Sequence, residues 1–301
     1  LAGFKLLPAF QQIYFSIATI QANIASYENI QADLKASAMD DVQDIQGSLE
    51  DNTLEKIKFL HAIQLSNISF AYPGAPQNLL SNLTITFPKN QVIGLVGPSG
   101  SGKSTLIDIL MGLVEPNAGE LKIDEQILRA SQKRLLQDKI GFVSQTIFLA
   151  DSSIKENIGF GIPSSEIIDE RVLQAIRLAH LEDVISSLPN GIDTFVGERG
   201  VQLSGGQRQR IGIARALYND PEILVFDEAT SSLDGLTEKL IMEAVNSFSG
   251  KKTIILIAHR LSTVKSCNLI YFIENGKIAD QGTYQHLLES NTSFKKMSET
   301  T

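Results

Sequence analysis

Several features that would place this chain in a common protein class are scarce or missing. Cys267 is the single cysteine in 301 residues, so an internal disulfide is excluded and a reducing compartment is indicated. No run of 18 apolar residues occurs, which excludes a complete helical membrane span within this stretch, and no signal peptide is visible. Basic residues number 26 against 34 acidic ones, and the net charge of −8 argues against nucleic acid as the main partner.

The composition is typical of a chain that folds around an apolar core. Apolar residues make up 43% and charged residues 20%, and the length fits one large or two ordinary domains. The chain begins at Leu1 within an apolar pattern, and we interpret it as the C-terminal part of a longer polypeptide; the alternative is a short leader that has been trimmed.

A glycine-rich stretch at 97–105 carries the strongest chemical signal. It matches G-x-x-x-x-G-K-[ST] between an apolar run, 92–96, and a helical pattern, 106–111. Such a loop turns backbone N–H groups around a phosphate chain, with the Lys103 ammonium toward the β- and γ-phosphates and the Ser104 hydroxyl toward Mg²⁺. A purely structural turn would not need Lys and Ser there. The predicted nucleotide contacts are Gly97, Ser99, Gly100, Gly102, Lys103, Ser104 and Thr105.

Three further predicted strands end in polar residues. Residues 223–228 form an unalternating apolar run that ends in Asp227 and Glu228, which suits a parallel strand covered on both faces. Ligands of such sheets bind at the carboxyl ends of strands, so we expect Asp227 to hold Mg²⁺ and Glu228 to polarise the attacking water. The strand 140–144 ends at Gln145, a second candidate for Mg²⁺, and the strand 253–258 ends at His259, a candidate γ-phosphate contact. A solvated strand end and a structural histidine are the alternatives.

A second helix start has the composition of an anion site. Ser204, Gly205, Gly206 and Gln207 precede or open a predicted helix that continues to Leu217. An ordinary capped helix, with Ser204 as its cap, is the alternative, but two glycines in its first turn would be a needless cost.

The remaining patterns predict the supporting elements. Residues 62–71 and 79–87 alternate as two antiparallel strands, and Tyr72 on the loop between them can stack on an adenine ring. Residues 152–218 are mostly helical in pattern. Residues 269–273 and 277–280 predict a closing hairpin, and the polar tail from 291 predicts fraying.

Residues 4–35 repeat apolar side chains at a helical period, and the polar stretch 36–61 is typical of a linker. The helix is either a coiled-coil or bundle helix, or the cytoplasmic extension of a final transmembrane helix.

Taken together, these motifs resemble the nucleotide-binding domain of ATP-binding cassette (ABC) transporters over about 62–290. The matching elements are Tyr72, the P-loop 97–105, Gln145, the signature 203–207, the acid pair Asp227 and Glu228, the stretch Ser232-Leu233-Asp234, and His259. The stretch 196–200 looks like the contact loop of exporters. Asn268 departs from the family pattern, where many relatives carry an acid, and we expect little functional consequence.

The resemblance implies an α/β fold: a P-loop NTPase (RecA-like) core with an antiparallel β subdomain and a helical signature subdomain, after the long N-terminal helix. It implies ATP and Mg²⁺ as ligands. It also implies a second ABC domain packed head to tail as a homodimer, so that the helix start at Ser204, Gly205, Gly206 and Gln207 contacts the ATP of the other copy. Asp234 is a further predicted ATP-binding residue. A fused transmembrane domain would place this domain on the cytoplasmic side of the plasma membrane.

Substrate and alternatives remain open at this point. Residues 5–14 are similar to the last membrane helix of bacterial flippases for lipid-linked oligosaccharides; multidrug, lipid or peptide export are the alternatives. A soluble ABC ATPase acting on nucleic acid or ribosomes would usually carry two cassettes and a basic surface. A regulatory cassette without turnover would usually have lost the catalytic acid or the signature.

Overall fold

The computed structural model describes residues 2–50, 57–227, 235–258 and 260–300. The chain divides into two units, residues 1–55 and residues 56–301, and each is described by itself.

The first unit contains one helix, α1, at Ala2–Glu50. It continues well past residue 35, where the sequence pattern placed its end, because a polar composition does not itself terminate a helix and no proline follows Pro8 in this stretch. Its described large apolar side chains are exposed, from Ile24 at 44% to Tyr14 at 71%. Among the described helices, none is both long and apolar enough for a membrane span.

The second unit contains ten strands and ten α-helices in its described residues. The strands are β1 (Ala62–Phe70), β2 (Leu80–Pro88), β3 (Val92–Val96), β4 (Ala118–Ile123), β5 (Gln126–Ile127), β6 (Ile140–Val143), β7 (Ile223–Asp227), β8 (Thr253–Ile257), β9 (Leu269–Glu274) and β10 (Lys277–Gly282). The helices are α2 (Lys103–Leu110), α3 (Lys133–Gln137), α4 (Ile154–Ile158), α5 (Asp169–Leu178), α6 (Glu182–Ser187), α7 (Gly205–Leu217), α8 (Gly235–Ser247), α9 (Leu261–Val264), α10 (Tyr284–Ser290) and α11 (Thr292–Thr300).

Two sheets organise these strands. An antiparallel sheet has the order β2-β1-β4-β5, as the alternating pattern predicted for its first two strands. A six-stranded sheet has the order β10-β9-β3-β8-β7-β6, in which β9 to β6 run parallel and β10 is antiparallel. Every residue of β3 and β8 is buried, which explains why these strands read as continuous apolar runs.

The apolar core has two parts, one on each face of the six-stranded sheet. Helix α2 and the antiparallel sheet bury one part, which includes Phe87, Ile93 and Leu106. Helices of the segment 152–218 bury the other part, which includes Phe226 and Ile213. The sequence therefore predicted the α/β class, the antiparallel sheet and the helical segment correctly.

The C-terminal end differs from the expectation of a frayed tail. Residues 292–300 form α11, and the Phe294 ring is fully buried, edge-to-face against Phe272 at 5.8 Å and Tyr284 at 5.7 Å. One aromatic side chain thus holds a segment whose average composition is polar. The preceding hairpin turn forms as predicted, with positive φ at Asn275 (50°) and Gly276 (70°).

Candidate functional site

The loop between β3 and α2 has a backbone that only glycine permits at its first position. Gly97 has φ of 153°, and a Cβ atom there would lie 2.0 Å from the carbonyl oxygen of Ile273. The loop backbone therefore passes directly against β9, and its remaining groups turn toward the start of α2.

The start of α2 fits a phosphate group. Its N-cap residue is Gly102, which has no side chain with which to cap the helix, so the positive end of the helix faces the loop. Lys103 is only 5% exposed, and its ammonium donates to the carbonyl oxygens of Gly97 and Pro98, each at 2.9 Å. A pocket of about 170 Å³ is lined by Leu79, Ser99, Gly100, Gly102, Lys103, Ser104 and Thr105. Backbone N–H groups, an ammonium and three hydroxyls form a donor set that suits phosphate oxygens.

Tyr72 is tied to the same helix start. Its hydroxyl lies 3.0 Å from Thr105 Oγ1, and its ring stands edge-to-face on Phe70 with centroids 5.0 Å apart. The ring is 49% exposed, so part of its surface can receive a flat ligand. The structure therefore brings the predicted adenine contact and the predicted phosphate loop together.

The predicted metal ligands lie on the same edge of the parallel sheet. Asp227 ends β7 and pairs in register with Ile257, which pairs with Leu95 of β3. Two strand spacings separate Asp227 from β3, about 10 Å. Gln145 follows the end of β6, the strand beside β7, and Ser104 is exposed at the start of α2. Carboxylate, amide and hydroxyl oxygens are a donor set that fits Mg²⁺.

Three predicted site residues lie outside the described residues: Glu228, Asp234 and His259. Glu228 follows Asp227 directly and His259 follows Ala258 directly in the sequence, and their roles stay predictions.

The start of α7 is a complete side-chain cap. Ser204 Oγ accepts from the Gln207 N–H at 3.2 Å, and Gln207 Oε1 accepts from the Ser204 N–H at 2.8 Å. Ser204 therefore caps α7, and the role of this helix start as an anion site stays a prediction. The hydroxyl proton of Ser204 stays available to a further acceptor. A Cβ on Gly205 would meet only an Arg208 nitrogen at 4.0 Å, so internal packing does not require this glycine. Of the described residues, those that line the P-loop pocket do not include Ser204.

The loop after β6, which carries Gln145, contacts a second loop, the stretch 196–200, which resembles the contact loop of exporters. Leu149 follows Gln145 in the first loop, and a Cβ on Gly200 of the second loop would lie 2.7 Å from Leu149 Cδ1. The Val196 N–H donates to the Ser152 carbonyl at 3.1 Å, which extends the contact between these segments.

Sequence reasoning missed residues that support the site. The Asn117 side chain accepts from the Ala71 N–H at 2.7 Å and so fixes the backbone beside Tyr72, and Leu79 forms part of the pocket wall. Asn117 lies in a Pro-Asn-Ala-Gly stretch whose composition indicates only a turn, so no local signal distinguished it.

Comparison with known proteins extends the earlier resemblance. The family model described as ABC transporter matches residues 80–231. The mouse mitochondrial ATP-binding cassette sub-family B member 10 is 41% identical over 251 residues, which cover 82% of this chain and 35% of that protein. The leukotoxin translocation ATP-binding protein LktB of Mannheimia glucosida is 46% identical over 233 residues, 77% of this chain and 32% of that protein.

One relative aligns over almost the whole chain. The heterocyst differentiation ATP-binding protein HepA of Nostoc sp. is 38% identical over 292 residues, 97% of this chain and 46% of that protein. Among solved structures, a bacterial Atm1-family ABC exporter with ATP bound superposes with a TM-score of 0.75 at 34% identity, over 81% of this chain and 42% of that chain. The chain thus spans less than half the length of each of these relatives.

Proposed function

Because the chain belongs to the ABC transporter family and carries its ATP-binding domain, we propose that it hydrolyses ATP to drive export or flipping of a substrate across a membrane. The observation that carries the ATP site is the uncapped start of α2, with the Lys103 ammonium inside the loop and Tyr72 tied to the same helix turn.

Lys103 supplies the charge for phosphate binding. Its ammonium already lies against two loop carbonyls, and it exchanges these for oxygens of the β- and γ-phosphates when ATP binds. Its burial strengthens that attraction, since a low local dielectric reduces screening. Tyr72 stacks on the adenine, and its hydroxyl bond to Thr105 fixes the distance between the two ends of the nucleotide.

Ser104, Gln145 and Asp227 are the residues that would hold Mg²⁺, with Asp227 acting through a water. When bound, the metal neutralises charge on the phosphate oxygens. Glu228, next to Asp227 at the strand end, orients and polarises the attacking water, and His259 contacts the γ-phosphate.

The exposed start of α7 completes the site of a second copy. Its Gly205 has only an Arg208 nitrogen, at 4.0 Å, near the position of a Cβ atom, and its Ser204 hydroxyl keeps a proton to donate. A head-to-tail homodimer uses both features, because ATP on the P-loop of one copy then meets Ser204 of the other. This arrangement closes the dimer around two ATP molecules.

The loop after β6 and the stretch 196–200 transmit closure of the dimer to a membrane domain. Three exposed aromatic side chains lie on these loops or beside them: Phe148 at 59%, Phe160 at 54% and Phe195 at 62%. Such a patch suits a partner segment. We place the membrane domain on the same polypeptide, with this domain on the cytoplasmic side of the plasma membrane.

We propose a lipid-linked oligosaccharide as the transported substrate. Residues 5–14 support a lipid-linked oligosaccharide, whereas LktB, one of the relatives above, is named for leukotoxin translocation. ATPase activity of the full-length transporter in lipid vesicles, with and without lipid-linked sugars, tests this. Stimulation by one of them supports the flippase, and unchanged activity with every such sugar contradicts it.

The catalytic proposal is tested by Glu228→Gln. We expect ATP binding to stay at the wild-type level while steady-state hydrolysis falls at least about 100-fold, since the amide no longer polarises water. Glu125→Gln, at an exposed turn, is the matched control and should hydrolyse normally. Wild-type turnover in the Glu228 variant would remove this residue from the mechanism.

A further inference from the structure

Arg215, near the end of α7, contacts two other segments of the chain with one guanidinium group. Its Nε donates to the Asn157 carbonyl at 2.8 Å, and Nη1 donates to the Phe148 carbonyl at 3.0 Å. Its Nη2 donates to Asn157 Oδ1 at 3.3 Å, and the group lies 4.7 Å from the centre of the Phe160 ring. Helix α7, helix α4 and the loop after β6 are therefore joined at one point.

Asn157 extends this connection along the loop. It is fully buried, its Oδ1 accepts from the Ala150 N–H at 2.9 Å, and its Nδ2 donates to the Ala150 carbonyl at 3.0 Å. Arg215 and Asn157 thus hold backbone groups at Phe148 and Ala150. Gln145 lies only three residues before Phe148, so the same contacts limit where its side chain can reach.

The geometry requires arginine. Burial lowers the pKa of Arg215 from its ordinary value, yet that value is so high that the group stays charged at neutral pH. A planar guanidinium donates in three fixed directions, whereas a lysine ammonium is a single point on a flexible stem. Lys at this position keeps the charge but cannot hold both carbonyls and the Asn157 side chain at once.

We propose that Arg215 is a positioning residue that holds the Gln145 loop for Mg²⁺ and ties that loop to α7, whose other end presents Ser204. This rests on the proposed function for the roles of Gln145 and Ser204. Ten residues separate Gly205 from Arg215, about 15 Å of helix, so a rigid α7 connects the metal side of one site to the exposed cap. Residues that orient a metal ligand typically change metal affinity about 10- to 100-fold when altered.

Arg215→Lys tests the proposal, with Arg210→Lys as the matched control. Arg210 lies on the same helix and donates to the His180 carbonyl within the helical segment. In Arg215→Lys we expect the Mg²⁺ concentration for half-maximal ATPase to rise about tenfold or more. ATP binding without Mg²⁺ should be unchanged. Amide hydrogen exchange of a peptide covering 146–150 should accelerate, while a peptide from β3 stays protected. The control should match wild type in all three measurements.

A double variant separates positioning from general damage. If Arg215 acts through Gln145, Arg215→Lys causes no further change in Mg²⁺ dependence once Gln145 is Ala. The proposal would be overturned if the two substitutions together changed the Mg²⁺ dependence by the product of their separate effects. A wild-type Mg²⁺ dependence in Arg215→Lys alone would also overturn it. Asn157→Asp gives a second route if the lysine variant fails to fold, because it removes the donor to Ala150 and should produce the same Mg²⁺ shift. A wild-type protein without ATPase activity would refute the proposed function, whereas unaltered exchange at 146–150 would refute the positioning role.

Discussion

Two helices of this domain begin in glycine-rich sequence, and they use their N-terminal ends in opposite ways. Helix α2 begins after Gly102 with no side-chain cap, and its glycine loop is pressed against its own chain at Ile273. Helix α7 begins with a reciprocal Ser204–Gln207 cap, and its Gly205 faces open space. The first end is shaped by internal contacts to receive an anion.

At the start of α7, the side chains of Ser204 and Gln207 bond the backbone N–H groups, and the surface beside Gly205 stays uncovered. Glycine costs a helix up to about 1 kcal/mol relative to alanine, so glycine at a position that internal packing leaves open requires an external reason. In the proposed dimer, close approach of a second copy provides that reason. A glycine-rich helix start must therefore be judged by what surrounds its Cα atoms as well as by its motif.

The largest expected effect comes from Gly97→Ala. The added Cβ would meet the Ile273 carbonyl at 2.0 Å, so the loop or β9 must shift. We expect unfolding free energy to fall by at least about 2 kcal/mol and ATP affinity to fall at least about 100-fold. Denaturant unfolding and titration with fluorescent ATP measure both. Gly100→Ala is the control, since its Cβ meets nothing within 4 Å and only its φ of 76° carries a cost. Equal losses in the two variants would contradict the steric argument.

Gly205→Ala should behave in the opposite way. Its Cβ enters open space, so we expect unchanged ATP binding to the single chain and up to about 1 kcal/mol of added stability. Hydrolysis should fall at least about tenfold, because the methyl group occupies the surface on which the other copy's ATP lies. Thermal unfolding and steady-state ATPase assays at several protein concentrations check this. Normal hydrolysis would show that this surface is not used.

We expect a smaller effect at Asp124, where backbone N–H groups bind a carboxylate of the same chain. The Asp124 carboxylate accepts from the N–H groups of Leu60 and His61 at 2.7 Å and of Ala62 at 2.9 Å. Burial alone would raise its pKa, but these bonds outweigh burial and the pKa lies below its ordinary value.

Since the folded state lowers this pKa, the stabilisation is present above the unfolded pKa and is lost as pH falls through the folded value. We expect Asp124→Asn to unfold more easily than wild type at pH 7 and the difference to shrink toward pH 3. Unfolding curves at several pH values measure it. A difference that does not depend on pH would show that the charge contributes nothing.

Local sequence patterns predicted the P-loop and the parallel strands and offered the capped start of α7 as an alternative, because each depends on neighbouring residues. They did not predict contacts that join distant segments. The burial of Phe294 and the hydrogen bonds made by Arg215 and Asn157 have no local signal. Asn268 also makes such a contact between distant segments. Its side-chain oxygen accepts from the Val92 N–H at 2.8 Å, and its own N–H donates to the Val92 carbonyl at 2.8 Å. An amide oxygen thus serves there as a structural acceptor, as a carboxylate would.

We propose that ATP bound at the start of α2 in one copy meets the start of α7 in another. The most direct test is sedimentation velocity of the Glu228→Gln chain, with and without ATP and Mg²⁺. We predict a monomer without nucleotide and a dimer with it, because each copy then supplies Ser204 to the ATP on the other copy's P-loop. The same variant carrying Gly205→Ala should stay monomeric. A chain that binds ATP and remains a monomer would contradict the account, since the open start of α7 would then have no partner.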